Sequence, residues 1–442
     1  MTEIRVKDNT ASDRSKFTGI TTLTQKIADK TLEQLEKEGV FVFPEAIQNA
    51  EDITREQMVL QSVNGRYCTS NIMGFLGFGS ERLSIESRFS IGEQDYFFQY
   101  LLEQVMDFPN VLDLITDSNR DTRVFHLLIF LFPRYLKVAM QKGLFKTYIQ
   151  NQYNDPNIKG SIDVARHIRE NTPFTGSIAY HQREFSYDNN LTELIRHTIE
   201  LIKTKPYGNR LLNRVKDEVT SVIKATTSYE LYDRRKIIIA NKKKPIRHAY
   251  FREYRELQRL CLMILQQEKH RLGAGTREVY GLLFDGAWLW EEYVNSLIGE
   301  QFYHPMNKRG RDGQRLFAGN VGLIYPDFIS RDATNRTIAD AKYKPIDNIG
   351  NKDYLQVLAY MFRFKAKNGF YLYPESSERN SKELHLNQGS TYEENVTPRD
   401  DVKLLKCGLH IPSGASSYDD FKTQMRENET IFKAQFSSNF KL

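Results

Sequence analysis

The spacing of apolar residues changes along the chain, and each change predicts a different kind of structure. A short helix is predicted at residues 31–38, and it is followed by glycine-punctuated apolar runs that predict strands at residues 66–72, 73–78 and 82–89. From Asp95 onward the apolar residues take a helical spacing, and Pro133 should bend or restart the helix in which it lies. The chain is therefore expected to begin with a β-rich region followed by a helical layer.

The middle of the chain continues the helical pattern and carries a row of arginines. A β-like segment at residues 174–188 precedes a helix predicted to begin near Asn190, and a longer helix is predicted over residues 250–270. On this longer helix, arginines recur three and four residues apart and therefore share one face. This arginine stripe consists of Arg252, Arg255 and Arg259.

The last third of the chain predicts the local order helix, strand, strand, helix. The four segments are residues 281–298, 322–330, 337–343 and 352–365. These changes of pattern together predict an α+β protein with a β-rich region at residues 1–100, a mainly helical region at residues 101–270 and a further domain at residues 271–442.

Composition excludes several classes of protein. Hydrophobic residues at 40% and charged residues at 27% are typical of a globular domain rather than a disordered chain. The longest apolar run, residues 124–132, is about half the length that a membrane span needs, and the polar N-terminus has no apolar signal core, so we expect a cytoplasmic protein without a membrane partner. The cysteines lie too far apart for a disulfide framework or a CxxC metal motif.

Positive charge is concentrated in one part of the chain. The formal net charge is +6, but residues 234–259 alone hold ten Lys and Arg against Glu253 and Glu256. Such a stretch, which includes the arginine stripe, would suit a track for DNA phosphates. A solvated helix face explains it equally well, and the sequence leaves both interpretations open.

Two acids and a lysine stand on the predicted strand pair. Asp340 and Lys342 are two residues apart, so on a strand their side chains project to the same face. Turn-forming residues 332–335 separate the strands, and the midpoint between Asp327 and Asp340 falls inside that turn, so a hairpin would set these acids side by side. Two carboxylates and a lysine at one strand end can hold a hard divalent cation beside a scissile phosphate, as phosphodiester hydrolysis requires.

Further polar residues extend this group. Gln356 and Tyr360 lie one turn apart on the following predicted helix, and Glu291 on the preceding one is a candidate third acid, with Glu292 next to it. An arbitrary match of this kind is more often a solvated surface hairpin. Asp340, however, lies in the apolar-leaning segment TIADAKY, where a charge without a role is unfavourable, and this favours a functional site.

These residues resemble those of a known nuclease family. PD followed by DAK and then by QVLAY is similar to the PD-(D/E)xK nuclease core with the QxxxY addition of RecB-like nucleases, in which helices flank a mixed sheet. More narrowly, KGSIDVARHIREN, FSYDNNLTELIRHTIELI and GLLFDGAWLWEEYV resemble the McrC family, the nuclease subunits of McrBC-type modification-dependent restriction systems. The resemblance runs from about residue 159 to residue 365.

The resemblance implies a role for each residue of the group. It implies that Asp327 and Asp340 ligate Mg²⁺, that Lys342 is the catalytic lysine, and that Glu291 takes the position of the helix glutamate. Gln356 and Tyr360 would support them. It also implies a nuclease domain at residues 271–442 and a partner-binding module at residues 1–100.

The resemblance further implies a partner. Members of the family join a hexameric McrB-like AAA+ GTPase, stimulate its hydrolysis and cut double-stranded DNA that we expect to be modified. The chain has no GxxxxGK[ST] phosphate loop, so we expect it to bind no nucleotide itself. Two alternatives stay open: a non-catalytic assembly or regulatory subunit of an NTPase complex, and a stand-alone RecB-like nuclease, whose expected cluster-binding cysteines and helicase motifs are missing.

Overall fold

The computed structural model describes residues 2–38, 40–43, 56–92, 95–106, 120–271, 279–305, 314–319, 321–376, 382–389 and 397–438. The chain divides into two compact units. The first unit comprises residues 1–113 with 275–442, and the second unit comprises residues 114–274. Within the described ranges, no helix combines the length and the apolar character that crossing a membrane requires.

The first unit begins with a β-rich region. Its elements are β1 Thr2–Lys7, β2 Ala11–Asp13, α1 Thr21–Ile27, α2 Leu32–Glu38, β3 Val40–Phe43, β4 Leu60–Val63, β5 Arg66–Thr69, β6 Ile72–Phe78, β7 Glu81–Glu86 and α3 Tyr96–Met106. The strands and helices predicted here are confirmed to within a few residues. The sequence pattern missed β1, because this strand lies at a sheet edge and only its Val6 is buried.

The second unit is mainly helical. Its elements are α4 Arg120–Met140, β8 Thr147–Asp155, β9 Ser161–Ile162, α5 Val164–Glu170, β10 Ile178–Ser186, α6 Asn190–Lys203, α7 Gly208–Leu212, α8 Lys216–Ala225, α9 Arg234–Lys243 and α10 Arg252–Arg271. The predicted restart at Pro133 is wrong, because α4 runs through this residue as one helix. The preceding residues Leu128 to Phe132 are buried, so packing outweighs the hydrogen bond that proline cannot donate.

The first unit resumes after residue 275. Its remaining elements are β11 Tyr280–Asp285, α11 Gly286–Ile298, β12 Phe302–Tyr303, β13 Gln314–Phe317, β14 Val321–Ile324, β15 Phe328–Ser330, β16 Thr337–Ala341, α12 Asn351–Phe364, β17 Asn368–Glu375, β18 Lys382–Gln388, β19 Thr397–His410 and α13 Tyr418–Ser438. The helix predicted over residues 281–298 is therefore wrong in its first part. A strand buried on both faces reads as an unbroken apolar run, which periodicity does not distinguish from a buried helix.

Strand β11 joins parts of the first unit that are distant in sequence. It pairs parallel with β3 and antiparallel with β6, in a sheet of order β1-β7-β6-β11-β3. Gly281 permits the close approach, since a Cβ there would lie 2.4 Å from the carbonyl oxygen of Phe75. The regions that the sequence predicts at residues 1–100 and 271–442 therefore share one sheet. The separate roles that the resemblance implies for these regions stay predictions.

The C-terminal part of the first unit is a mixed sheet flanked by helices. Its strand order is β12-β15-β16-β17-β19-β18, with β16, β17 and β19 parallel and the other pairs antiparallel. Helix α12 packs on this sheet through Val357, Tyr360 and Met361, which contact Ile338 and Tyr371 in one buried cluster. The predicted α+β class is confirmed.

Candidate active site

The hairpin of β15 and β16 places the two predicted acids opposite each other. Phe328 pairs with Ala339 in an antiparallel register whose continuation sets Asp327 against Asp340. The Oδ2 atom of Asp327 accepts a hydrogen bond from the backbone N–H of Ala341 at 2.9 Å. The register deduced from the turn is therefore the one that forms.

The strand predicted over residues 322–330 is interrupted just before Asp327. Strand β14 pairs with β13, whereas β15 pairs with β12 and β16. Pro326 stands between β14 and β15 and has no N–H to donate to a ladder. Asp327 consequently lies at the end of a strand and not in its interior.

Three polar side chains surround the ammonium group of Lys342. Its Nζ atom lies 2.7 Å from Oδ2 of Asp340 and 3.8 Å from Oδ1 of Asp353, and it donates to Oε1 of Gln356 at 3.0 Å. The side chain of Asp340 is 1% exposed and that of Lys342 is 17% exposed. Burial acts to lower the pKa of Lys342, but the charges on Asp340 and Asp327 outweigh it and raise that pKa above its usual value. Lys342 is thus a protonated donor at neutral pH.

Helix α12 supports the lysine through the pair predicted from its spacing. Gln356 uses its carbonyl oxygen for Lys342 and donates from Nε2 to the hydroxyl of Tyr360 at 2.8 Å. Burial raises the pKa of Tyr360 to about 12, so this hydroxyl stays protonated. Gln356 therefore contacts Lys342 directly, whereas Tyr360 is connected to Lys342 through Gln356.

The sequence analysis missed Asp353, in the first turn of α12. Its carboxylate accepts from Nζ of Lys344 at 2.7 Å and from the backbone N–H of Gly350 at 3.0 Å. Burial acts to raise the pKa of Asp353, but Lys344 and Gly350 lower it overall. An acid at the third position of a helix that follows a glycine was the available signal.

Negative charge accumulates around Asp327. Burial raises the pKa of Asp327 well above its usual value, and the charges on Glu291 and Asp340 raise it further, while Lys342 acts in the opposite direction. A bound cation would offset the repulsion that neighbouring carboxylates exert on a carboxyl group whose pKa is raised in this way. Glu291, on α11, therefore belongs electrostatically to the group.

A histidine outside the predicted set connects Asp327 with α11. No sequence motif assigns a role to His304. Its Nδ1 atom lies 2.8 Å from the carbonyl oxygen of Asp327. Its Nε2 atom lies 3.7 Å from Glu291 and 3.8 Å from Glu292. Burial acts to lower the pKa of His304, whereas these two carboxylates raise it above the usual value overall. Motif spacing offered no signal for this residue.

Helix α11 also anchors the backbone next to strand β16. The carbonyl oxygen of Leu372 accepts from the backbone N–H of Lys342 at 2.8 Å and from Nε1 of Trp290 at 2.9 Å. Trp290 is fully buried. This tryptophan therefore helps to hold Lys342 in place.

The arginine stripe lies on α10, in the second unit. Arg252 and Arg255 are exposed, and Arg259 is half-buried with its Nη1 atom 3.8 Å from Glu256. Of the apolar residues of α10, Leu257, Leu260, Ile264 and Leu265 are buried and Leu262 is half-buried. The assignment of this stripe to DNA stays a prediction.

The oxygen donors of the site suit a hard cation. Across the described residues, no group of three or more His, Cys, Asp and Glu side chains is arranged to hold a metal ion unaided. Mg²⁺ does not need such a group, because it usually takes one or two carboxylates and completes its shell with water and substrate phosphate. Asp327 and Asp340 fit that requirement, and the charge repulsion at Asp327 favours a cation there.

Comparison with known proteins places the chain in a family. A family model described as "McrBC 5-methylcytosine restriction system component" matches residues 68–374. This is more than half of the 442 residues. The chain belongs to this family. The McrBC match includes the site residues described above and the arginine stripe. No curated protein matches the chain.

Two solved structures that contain McrBC-family proteins are also similar. One is a half-complex from a tetradecameric assembly of Thermococcus gammatolerans McrB AAA+ hexamers with bound McrC, with 15% identity, coverage of 97% of this chain and 100% of that chain, and a TM-score of 0.49. The other is a Thermococcus gammatolerans McrBC complex, with 13% identity, coverage of 67% and 87%, and a TM-score of 0.33. At these values neither structure assigns a role to a residue of this McrBC-family chain.

Proposed function

We propose that this McrBC-family chain is the DNA endonuclease subunit of a modification-dependent restriction complex, a PD-(D/E)xK enzyme that hydrolyses phosphodiester bonds with Mg²⁺. The observation that carries the proposal is the convergence of Asp327, Asp340 and Lys342 at one hairpin end, with the ammonium 2.7 Å from the Asp340 carboxylate. A solvated surface hairpin is a poor alternative, because Asp340 is buried.

Each residue has a part in the proposed hydrolysis. Asp327 and Asp340 hold Mg²⁺, which when bound supplies positive charge to the scissile phosphate and makes a nearby water more acidic. Lys342, as a protonated donor, orients the attacking water or a phosphate oxygen and balances developing negative charge. Gln356 fixes the direction of the ammonium, and Glu291 contributes a further carboxylate at the same site.

The proposed enzyme acts with a motor partner in the cytoplasm. The matched family is a restriction-system component named for 5-methylcytosine, which supports modified double-stranded DNA as the substrate. Because the sequence lacks a phosphate loop, we assign GTP hydrolysis to a McrB-like AAA+ hexamer that this chain stimulates through residues 1–100. The arginine stripe is proposed to contact DNA phosphates.

The experiment is a cleavage assay on the co-purified complex. Asp340→Asn should reduce cleavage of methylated DNA with GTP and Mg²⁺ by about 100-fold or more, since several kcal/mol of transition-state stabilisation are lost. Stimulation of partner GTP hydrolysis should be unchanged. Asp400→Asn is the matched control, because Asp400 is an exposed acid on β19 of the same sheet.

Each other result has a defined meaning. Wild-type cleavage rates in Asp340→Asn would remove the nuclease assignment. GTPase stimulation by a wild-type chain that never cuts DNA would favour the regulatory-subunit alternative. Cleavage by the chain without any partner would favour a stand-alone nuclease.

A further inference from the structure

His304 is held in one orientation beside the acids of the site. Its side chain is 8% exposed. The ring packs on Phe328 with a centroid distance of 4.9 Å and an interplanar angle of 27°. Its Nδ1 atom bonds to the Asp327 carbonyl oxygen at 2.8 Å. A stacked face and one hydrogen bond together leave the ring little freedom to rotate.

The chemistry of the carbonyl decides which nitrogen carries hydrogen. A backbone carbonyl oxygen only accepts, so Nδ1 of His304 must be the donor. The other nitrogen, Nε2, is then directed at α11, where it lies 3.7 Å from Oε1 of Glu291 and 3.8 Å from Oε1 of Glu292. One imidazole therefore spans the gap between the hairpin end and the two glutamates.

The two glutamates differ in burial although their distances from His304 are alike. The Glu291 side chain is 10% exposed, whereas that of Glu292 is 29% exposed. Glu291 is also the glutamate whose charge acts on Asp327. Residues that orient the ligands of a metal through hydrogen bonds change its affinity by about 10- to 100-fold when they are removed. His304 stands in that relation to Asp327.

We propose that His304 is a positioning residue that fixes the backbone at the Asp327 end of the hairpin, and thereby sets the divalent-cation affinity of the site. This inference rests on the proposed function, because it assumes that Asp327 holds the cation. His304 itself touches neither substrate nor ion in this proposal. It acts through the backbone of Asp327.

Two substitutions divide the contacts of His304. In His304→Asn the amide nitrogen takes about the place of Nδ1, so the bond to the Asp327 carbonyl is retained and the reach toward Glu291 is lost. In His304→Gln the amide takes about the place of Nε2, and the bond to Asp327 is lost. His304→Ala removes both contacts, and Glu292→Gln is the control at the more exposed of the two glutamates.

The measurement is Mg²⁺ binding to the full chain by calorimetry, together with single-turnover cleavage by the assembled complex over a range of Mg²⁺ concentrations. We expect His304→Ala and His304→Gln to weaken binding and raise the half-saturating Mg²⁺ concentration by about 10- to 100-fold. At saturating Mg²⁺ the cleavage rate should return to within a few-fold of wild type. His304→Asn should stay within about threefold of wild type in affinity, as should Glu292→Gln.

The outcomes separate this inference from the proposed function. A wild-type chain that neither binds Mg²⁺ nor cleaves in the complex contradicts the proposed function. A wild-type chain that does both, with unchanged Mg²⁺ affinity in His304→Ala, contradicts only the role of His304. If His304→Ala does not fold, the contrast between the Asn and Gln variants decides, and equal affinities in these two would overturn the proposal.

Discussion

Replacement of Lys342 by methionine tests the geometry of the site in the absence of metal, DNA and partner. Methionine keeps most of the chain length but removes the ammonium that lies 2.7 Å from Asp340. Removal of one partner from a buried ion pair leaves the other charge uncompensated and costs about 3–5 kcal/mol. Because the Lys342 side chain is 17% exposed, we expect the lower end of this range, about 3 kcal/mol, at pH 8.

The loss should become smaller as the pH falls. Without the ammonium, the pKa of Asp327, already raised by burial and by its acidic neighbours, rises further in the folded state. At pH values between the pKa of Asp327 in the unfolded chain and its pKa in the folded variant, the folded variant binds more protons than the unfolded chain. The stability of the variant therefore decreases as the pH rises through that window. The difference between Lys342→Met and wild type is therefore larger at pH 8 than at pH 5.

The assay is urea unfolding in the presence of EDTA, followed by tryptophan fluorescence. Both tryptophans of the chain, Trp288 and Trp290, lie on α11, so the signal reports the first unit. A double-mutant cycle with Asp340→Asn should give a coupling free energy of about 2 kcal/mol or more between Asp340 and Lys342. Lys352→Met, at an exposed position of α12, is the control and should change stability by less than about 0.5 kcal/mol.

The reasoning is refuted by one combination of results. If Lys342→Met were as stable as wild type at pH 8 and the cycle gave a coupling free energy near zero, the ammonium would not be paired with the Asp340 carboxylate. The convergence on which the nuclease proposal depends would then be absent in solution. A stability difference between Lys342→Met and wild type that does not vary with pH would instead contradict the expected rise in the pKa of Asp327.

Two further predictions concern other parts of the chain. Replacing the three residues of the arginine stripe by glutamine should weaken DNA binding and reduce the slope of log affinity against log salt by about 2 to 3. Titrations at several salt concentrations measure this slope. An unchanged slope would show that the stripe is a solvated helix face. Burial raises the pKa of Asp8 from 3.8 to about 6 although Arg88 opposes this, so the folded state binds the extra proton and stability falls as the pH rises through that window. Asp8→Asn removes this titration, and its unfolding free energy relative to wild type should therefore rise by about 2 kcal/mol between pH 4 and pH 7. A difference that does not vary with pH would contradict this.

Local spacing in the sequence determined the parts of the site that depend on short-range structure. The hairpin register follows from the turn midway between Asp327 and Asp340, because antiparallel pairing across a short turn is a local event. The side-by-side placement of Asp340 and Lys342 follows from the alternation of a strand, and that of Gln356 and Tyr360 from the period of a helix.

Tertiary structure alone decided the features that depend on distant partners. Strand β11 is a strand because β3 and β6 pair with it on both sides, and its apolar run is compatible with either a buried helix or a buried strand until those partners are present. His304 and Trp290 reach the site through contacts to Asp327 and Leu372 that no local period encodes. Periodicity reports which face of an element is buried, whereas the identity of the neighbour on that face is set only when distant segments of the chain pack together.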